Sequence, residues 1–377
     1  MRVARLRVLG FRNLREQEVE LGPSVSLLWG PNGAGKTNLL EALFVGLAGG
    51  SCRTNTAREA IAFDEPLARV EVDVSADREE RSFLWSLARG GERRHLLDGT
   101  PMGPELARER PALAVFLPDR LGLVKGPPSA RRQHLDRLVA ALWPGRSDAR
   151  RRYGRALGQR NALLGRVRAG LAPSDSLDAW DAELASVGCE LVEARRDAIK
   201  VLAPEFTAAA GDLGLRDPAS LRYAPRSDAA SPEELALELA ERRPGDVERG
   251  FTGHGPHLDE IHLELDGRSV RRYGSQGEQR TALLALLFAE RRALLEVRRM
   301  PPLMLLDDVM SELDPGRREL LAARLAEGDG QTVITATETD HVPATPARLE
   351  IAVRDGAAVH QLASDGEAAP STTAFAA

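Results

Sequence analysis

The residues Gly30-Pro31-Asn32-Gly33-Ala34-Gly35-Lys36-Thr37 follow an apolar run, SVSLLW, and lead into a segment with helical apolar spacing, KTNLLEALFVGL. Glycines in this pattern let backbone amides turn inward around phosphate oxygens, a lysine meets the outer phosphates, and a threonine hydroxyl can hold Mg2+. Asn38 belongs to the first turn of the helix, whose N-terminus adds roughly half a positive charge. LMLLDD at 303–308 supplies the acidic complement. Its four apolar residues bury a strand, so that Asp307 emerges at the C-terminal edge, where a carboxylate can hold Mg2+ directly or through water. A third stretch, YGSQGEQRT at 273–281, sets a serine and two glycines before a strongly apolar helical run, ALLALLFAE. The free N–H groups at such a helix start make an anion site. The chain therefore carries two phosphate cradles, far apart in sequence. Lysine usage sharpens the first. Only Lys36, Lys125 and Lys200 occur, against 48 arginines, and a compact ammonium reaches between phosphates where a planar guanidinium does not easily fit.

The elements that must position these residues can be read from hydrophobic periodicity. Residues 3–9, 17–21 and 25–29 read as strands, 36–47 as a helix, and 68–99 as two or three antiparallel strands with polar or Gly-rich turns. Between about 130 and 245 the texture turns to Ala, Leu, Arg and Glu with helical spacing, broken at Pro144, Pro173, Pro204 and Pro232. Strand character returns at IHLELDG (261–267), and helices and strands alternate from 276 to about 353. These shifts predict one domain built from 1–125 and 249–362, a mostly helical, arginine-rich domain inserted at 126–248, and a disordered tail over 363–377, ASDGEAAPSTTAFAA.

Composition sets the class. Hydrophobic residues at 43% and charged residues at 28% of 377 describe an ordinary globular protein. No apolar run reaches 18 residues, so no membrane span is expected. The start, MRVARLRVLGF, reads as a strand and lacks the apolar core of a signal peptide. Cys52 and Cys189 lack metal-ligand spacing and are expected as buried free thiols, which fits a reducing cytoplasm. The net charge of −5 argues mildly against nucleic acid, yet from Arg131 to Arg168 eleven arginines face two acids. Two readings stay open, a basic face on an acidic protein and an arginine-rich solvated helix face; for the first, Arg131, Arg132, Arg150, Arg151 and Arg152 are the first candidates to touch nucleic acid.

Taken in order, GPNGAGKT, SQGEQ, LLDD and SELD (311–314) resemble the motif set of ATP-binding-cassette ATPases. In that family the signature motif, which SQGEQ resembles, binds the γ-phosphate of ATP held by the phosphate loop of another subunit. The resemblance implies two composite sites in a homodimer that forms on ATP. Ser275, Gln276, Gly277 and Gln279 would serve a nucleotide in the second copy, and Asp314 of the D-loop-like SELD would lie with Ser275 at the dimer seam. Asp308 stands where related ATPases keep the residue that orients or deprotonates the attacking water, so the implied catalytic pair is Asp308 and Lys36. The cofactors implied are ATP and Mg2+.

A narrower resemblance joins LRVLGFRNL, GGSCRT, VFLPDRLGLVKGPPSARRQHLD, TGHGPHLDEI, YGSQGEQRT and LLDDVMSELD to the RecF family of recombination-repair proteins, which resembles SMC heads without their coiled coil. The fold it implies is α/β: an ABC-type, SMC head-like P-loop ATPase domain with mixed sheets and an inserted helical domain. The function it implies is a cytoplasmic protein that binds duplex DNA and single/double-strand junctions when dimerised by ATP. It would act with RecR and RecO to help load RecA at gaps, with slow hydrolysis as a release switch. Arg12, Asn13 and Arg53 would touch nucleotide phosphates, as comparable residues do in SMC-like heads. The family's glutamine loop has no clear counterpart near 115–125, and His341 lies some residues beyond the strand-like QTVITAT, away from the usual switch-histidine place. His254 and His257, without metal spacing, read as structural. A transporter ATPase subunit shares the nucleotide motifs but lacks the FRNL opening and the arginine-dense insert. A truncated SMC head would show heptads flanking the insert, a P-loop kinase would lack signature and D-loop, and a non-enzymatic DNA-binding module would not need Asp307 and Asp308.

Overall fold

The computed structural model describes residues 2–360 apart from 55, 77–78, 104, 118–120, 216–217, 328–329 and 343–347. The expected tail over 363–377 lies outside the described residues.

The N-terminal strand β1 (Arg2–Leu9) alternates: Val3, Leu6 and Val8 point inward, while Arg5 and Arg7 point out to carboxylates of Glu18 and Asp73. It sits in an antiparallel sheet with β2 (Gln17–Glu20), β4 (Leu67–Ala76), β5 (Glu79–Ala88), β6 (Arg93–Leu97) and β7 (Thr100–Pro101). That is the antiparallel layer expected from 68–99, and its inner face packs on helix α1 (Lys36–Ala48).

A second sheet runs β15-β14-β3-β13-β12-β8, where β3 is Val25–Trp29, β8 Leu113–Phe116, β12 Leu303–Leu306, β13 Thr332–Ala336, β14 Arg348–Arg354 and β15 Ala357–His360. All neighbours pair in parallel except β14 with β15. Both of its faces are covered, which is why VSLLW, LMLL and TVITA read as near-continuous apolar runs. Successive residues nonetheless serve different cores. Leu27, Met304 and Ile334 join a cluster with the long helix α9 (Gln276–Arg298), and Leu28, Leu305 and Val333 join the one with α1. Because β13 lies between β3 and β12, the strand ends carrying Gly30 and Asp307 finish on one edge. Ligands bind in such sheets outside the carboxyl ends of the strands.

The segment expected to be helical holds α2 (Gly122–Lys125), α3 (Pro128–Leu142), α4 (Ala149–Arg168), α5 (Asp178–Asp212), α6 (Pro232–Glu241) and α7 (Arg243–Arg249). One expectation needs correction there. Pro204 does not end a helix: α5 runs through it, because Leu202, Phe206 and Ala209 are buried and packing against α9 outweighs the lost N–H. The segment, expected to be mostly helical, also contains a strand. Residues Ala219–Ala224 form β9, which pairs antiparallel with β10 (Glu260–Leu265), and β11 (Arg268–Ser269) completes a three-stranded sheet before α8 (Val270–Tyr273). The alternation of Ala219 and Leu221, buried, with Ser220 and Arg222, exposed, is the two-residue period of a half-buried strand. The remaining helix, α10 (Pro315–Glu327), follows β12.

Buried ion pairs tie these helices to the segment 246–260. Arg195 on α5 donates to both carboxylate oxygens of Asp136 (2.8 and 3.0 Å), to Asp259 (3.0 Å) and to the Pro256 carbonyl. His257 accepts from or donates to Tyr153 Oη at 2.7 Å and meets the Thr252 carbonyl at 3.0 Å, while His254 pairs with Glu238. Both histidines thus hold loops together. Cys52 and Cys189 take part in no disulfide among the described residues, and both are half-buried where burial was expected. Among the described residues no helix is long and apolar enough to cross a membrane.

Candidate nucleotide-binding site

The loop from Gly30 to Gly35 joins β3 to α1, and two of its glycines are required by geometry. Gly30 has φ 150°, and a Cβ there would lie 2.1 Å from the Val353 carbonyl oxygen; Gly35 has φ 111°, with Leu14 in the way at 2.9 Å. The loop is held from outside by Asn13, whose Nδ2 donates to the Gly33 carbonyl at 3.1 Å and whose Oδ1 accepts from Asn38 at 2.7 Å. Lys36 is only 7% exposed, and its Nζ donates to the carbonyls of Gly30 (2.7 Å) and Pro31 (3.0 Å). Burial holds its pKa below the usual lysine range despite the opposing charges of Asp308 and Asp307.

Across the cleft, the Thr37 hydroxyl lies 2.9 and 3.0 Å from the two carboxylate oxygens of Asp307, and Thr335 Oγ1 on β13 donates to Asp307 Oδ1 at 2.8 Å. Burial, with the Asp308 charge adding to it, pushes the Asp307 carboxyl above the usual carboxylate range although Thr335 and Thr37 oppose this. A hydroxyl and a carboxylate already in contact form a hard-oxygen pair of the kind Mg2+ takes. Asp308 stands in the left-handed region (φ 47°), its N–H donating to Thr335 Oγ1 at 2.8 Å, and its buried Oδ1 has no hydrogen-bond partner. These groups line one cleft of about 390 Å3 together with Asn32 and Arg53.

One residue at this site escaped the sequence reading. Glu41 on α1 is fully buried and accepts from Arg12 Nε (3.1 Å) and a second Arg12 nitrogen (2.8 Å), from Arg53 (3.1 Å) and from Ser51 Oγ (2.6 Å). Burial alone would raise its pKa, but the Arg12 and Ser51 hydrogen bonds and the two arginine charges together hold it below the usual carboxylate range. Arg12, itself at φ 53°, and Arg53 are thereby held on one carboxylate, and Arg53 lines the cleft. Within LLEAL a glutamate looks like any polar helix position, and only the approach of two distant arginines reveals it. Glu41→Gln is expected to lower the unfolding free energy by about 1.5–3 kcal/mol at neutral pH, the scale of charged hydrogen bonds. Since the folded pKa is depressed, that contribution is present above the ordinary value of 4.5 and is lost as pH falls through the lower folded value. Urea titrations should show the gap between the two proteins closing below that pH; a gap that is absent at neutral pH would mean the pairs contribute nothing.

The second cradle is on a different part of the surface. Ser275 caps α9 in a reciprocal box: its N–H donates to Glu278 Oε2 (2.6 Å) and its Oγ accepts from the Glu278 N–H (3.3 Å). Ser275 and Gln276 are exposed, whereas Gln279 is buried with Nε2 donating to the Val270 carbonyl at 3.1 Å. Gln279 therefore braces the turn before the helix instead of facing a ligand, because the fourth residue after the cap faces the core. Asp314 caps α10, accepting from the Arg317 N–H at 3.0 Å, and Arg317 lies over Gly277, so the signature-like and D-loop-like stretches are neighbours. Neither of them lines the Lys36 cleft.

The arginine candidates separate. Arg131 is 7% exposed and pairs with Glu260 (2.9 Å) while donating to the Gly126 carbonyl; it holds α3 to β10 and has no guanidinium to offer DNA. Arg132 is half-buried and donates to the Asp259 carbonyl. Arg150, Arg151 and Arg152 on α4 are exposed, although Arg151 meets Asp148 and Arg152 meets Glu190. His341 ends a short turn, Thr339–His341, and its side chain lies outside the described residues, as do residues 118–120 of the segment where a glutamine loop would fall.

A parallel sheet with a phosphate loop after one strand and paired acids after another, a separate capped signature helix, and a flanking antiparallel layer define an ABC-type ATPase head of the SMC kind. A family profile described as RecF/RecN/SMC N terminal domain matches residues 2–358. The chain belongs to this family, in its RecF branch: it is 38% identical over 349 residues to the DNA replication and repair protein RecF of Heliobacterium modesticaldum, covering 89% of this chain and 92% of that one. Among solved structures, the recombination mediator protein RecF of the RecFOR pathway with ATP aligns over 96% of this chain and 98% of its own, at 28% identity and a TM-score of 0.85. An Smc head bound to the C-winged helix domain of ScpA aligns over 95% of this chain and 96% of its own with a TM-score of 0.58 at 15% identity, a likeness of fold alone.

Proposed function

We propose that this protein is a cytoplasmic, ATP-dependent DNA-binding recombination-repair ATPase whose two copies close head to tail around ATP. The observation that carries the reading is the separation of one complete phosphate cleft from a second, exposed cradle. Lys36, Thr37 and Asp307 cluster with Asp308, while Ser275 and Gly277 stay away from that cleft and are free to meet a nucleotide held by another copy. Thr37 and Asp307 would hold Mg2+, which neutralises phosphate charge when bound.

The phosphate-loop amides and Lys36 hold the β- and γ-phosphates of ATP, with Arg12, Asn13 and Arg53 at the rim. In hydrolysis a water oxygen bonds to the γ-phosphorus as the bond to the β–γ bridging oxygen breaks, leaving ADP and inorganic phosphate. Asp308 orients that water and takes its proton. An aspartate is shorter by one methylene than the glutamate many cassette ATPases place here. A misplacement of about 1 Å can cost on the order of 10²-fold in rate, so turnover should be slow, below about one per second, and DNA should raise it by favouring the closed dimer. Hydrolysis then acts as release. The family supports RecR, RecO and RecA as partners, and duplex DNA with single/double-strand junctions as the target. Residues 126–248 are the inserted domain in this reading, and Arg150, Arg151 and Arg152 offer contacts to DNA phosphates.

Sedimentation of the pure protein with ATP or ADP, each with and without a gapped duplex, tests the reading. ATP alone should double the mass, and the ATP-bound form should retain DNA. If about 6–10 phosphates are neutralised per dimer, affinity should drop about 10³–10⁵-fold between roughly 50 and 200 mM salt. An unchanged mass with ATP and no retained DNA would remove the reading's support.

A further inference from the structure

We propose that Arg317 is a phosphate ligand acting in trans, placed by one copy beside Ser275 to meet the γ-phosphate of ATP bound by the other. The inference rests on the head-to-tail dimer proposed above. Its starting observation is a glycine whose reason is not its own backbone. Gly277 is not among the residues with positive φ, yet a Cβ there would come within 2.9 Å of an Arg317 guanidinium nitrogen. The guanidinium lies across the first turn of α9, in space that a side chain at position 277 would share with it. The signature-like glycine and the arginine four residues past Leu313 thus form one unit, joined by Asp314, which caps α10 through the Arg317 N–H.

Electrostatics gives this unit a direction. A helix N-terminus carries partial positive charge, so a cation resting there is unfavourably placed. Two carboxylates lie beside it: Glu278, held below the usual carboxylate range by its Ser275 hydrogen bonds with the Arg317 charge adding to them, and Asp314, which accepts from the Arg317 N–H. The ion pair from Arg317 to Asp314 is long, 3.4 Å, between side chains 26% and 56% exposed, and pairs of that kind contribute little. Cation, helix end and exposed serine hydroxyl converge on one face, where an arriving phosphate would take up donors in competition with these two carboxylates. The first-turn amides of Gln276 and Gly277 have no carbonyl partner within the helix. A guanidinium stays charged and presents a planar fork that matches phosphate oxygens.

Mixing two inactive proteins tests the assignment. Arg317→Ala should bind ATP as a single subunit like the unaltered protein, yet lose turnover by at least about 10²-fold, the usual cost of removing one donor to a developing charge. Lys36→Ala should be inactive because its own loop cannot hold ATP. In the mixed dimer, the intact loop of the Arg317→Ala copy faces the intact Arg317 of the Lys36→Ala copy. Activity should return toward about one quarter of the unaltered level, the share of intact sites under random pairing. Ser275→Arg mixed with Lys36→Ala provides the comparison. Return of activity with Ser275→Arg but not with Arg317→Ala would overturn the role of Arg317 and leave the dimer standing. Return with neither would overturn the dimer, and Arg317→Ala with normal turnover would overturn the assignment outright. Arg317→Gln and Arg317→Lys separate charge from shape. Lysine should retain measurable turnover and glutamine none; the reverse order would show that Arg317 only shapes the turn.

Discussion

Replacing Asp308 with asparagine is expected to lower ATP turnover by about 10²–10⁴-fold, the range supplied by a positioned acid or base, while nucleotide binding persists. The substitution is close to isosteric, and asparagine tolerates the left-handed backbone as aspartate does. The bond from the residue's N–H to Thr335 Oγ1 is made by the backbone and survives. What changes is the carboxylate, which lines the cleft and whose buried Oδ1 has no hydrogen-bond partner. Asparagine removes the negative charge and the capacity to take a proton. With binding kept and hydrolysis lost, a long-lived ATP-bound dimer should accumulate on DNA. Asp307→Asn should behave differently, because Asp307 is tied to Thr37 and Thr335, and should raise the Mg2+ concentration needed for activity. Single-turnover phosphate release, read beside equilibrium ATP binding, separates the two. An Asp308→Asn protein that releases phosphate at the normal rate would show that another group orients the water.

The second large effect is on stability. Arg160 on α4 is fully buried and joins Asp181 (2.6 Å), Asp246 (2.8 Å) and Thr252 Oγ1 (2.8 Å). Both carboxylates are themselves buried. Arg160→Met keeps much of the volume but leaves two buried anions with, among the described residues, Arg243 and Arg249 as cationic partners. Breaking a buried pair in this way costs about 3–5 kcal/mol, a large part of the total stability of an ordinary domain. Denaturant unfolding should show the loss, and neutralising the acids as well, Asp181→Asn with Asp246→Asn, should return part of it. A loss below about 1 kcal/mol would place Arg160 among ordinary surface arginines.

Arg160 also shows how far a charge count reaches. It and Arg131 belong to the eleven arginines between 131 and 168 that predict a basic face, and both are buried in ion pairs. A side chain's type is written in the sequence; whether it faces solvent depends on which element packs over it. The strand at Ala219–Ala224 was hidden for a related reason. It is short, follows a 35-residue helix, and acquires its identity by pairing with β10, a partner distant in sequence. Pro204 misled in the opposite direction, since a proline marks a local cost and cannot report the burial of Leu202 and Phe206 that outweighs it.

The sequence by itself determined the chemistry: the phosphate loop, the paired acids at a strand end, the capped signature helix and the family they share. Those features depend on local backbone needs, glycines where φ is positive and a serine with glutamate three residues on, and local needs are readable in order along a chain. Tertiary structure alone decided which groups act together. The strand order β3-β13-β12 brings Thr37 and Thr335 against Asp307, while the packing of loops and helices makes Glu41 the anchor of Arg12 and Arg53 and lays Arg317 over Gly277. Such contacts join residues far apart in sequence. They are made by sheet crossovers and helix packing, and no spacing along the chain encodes them.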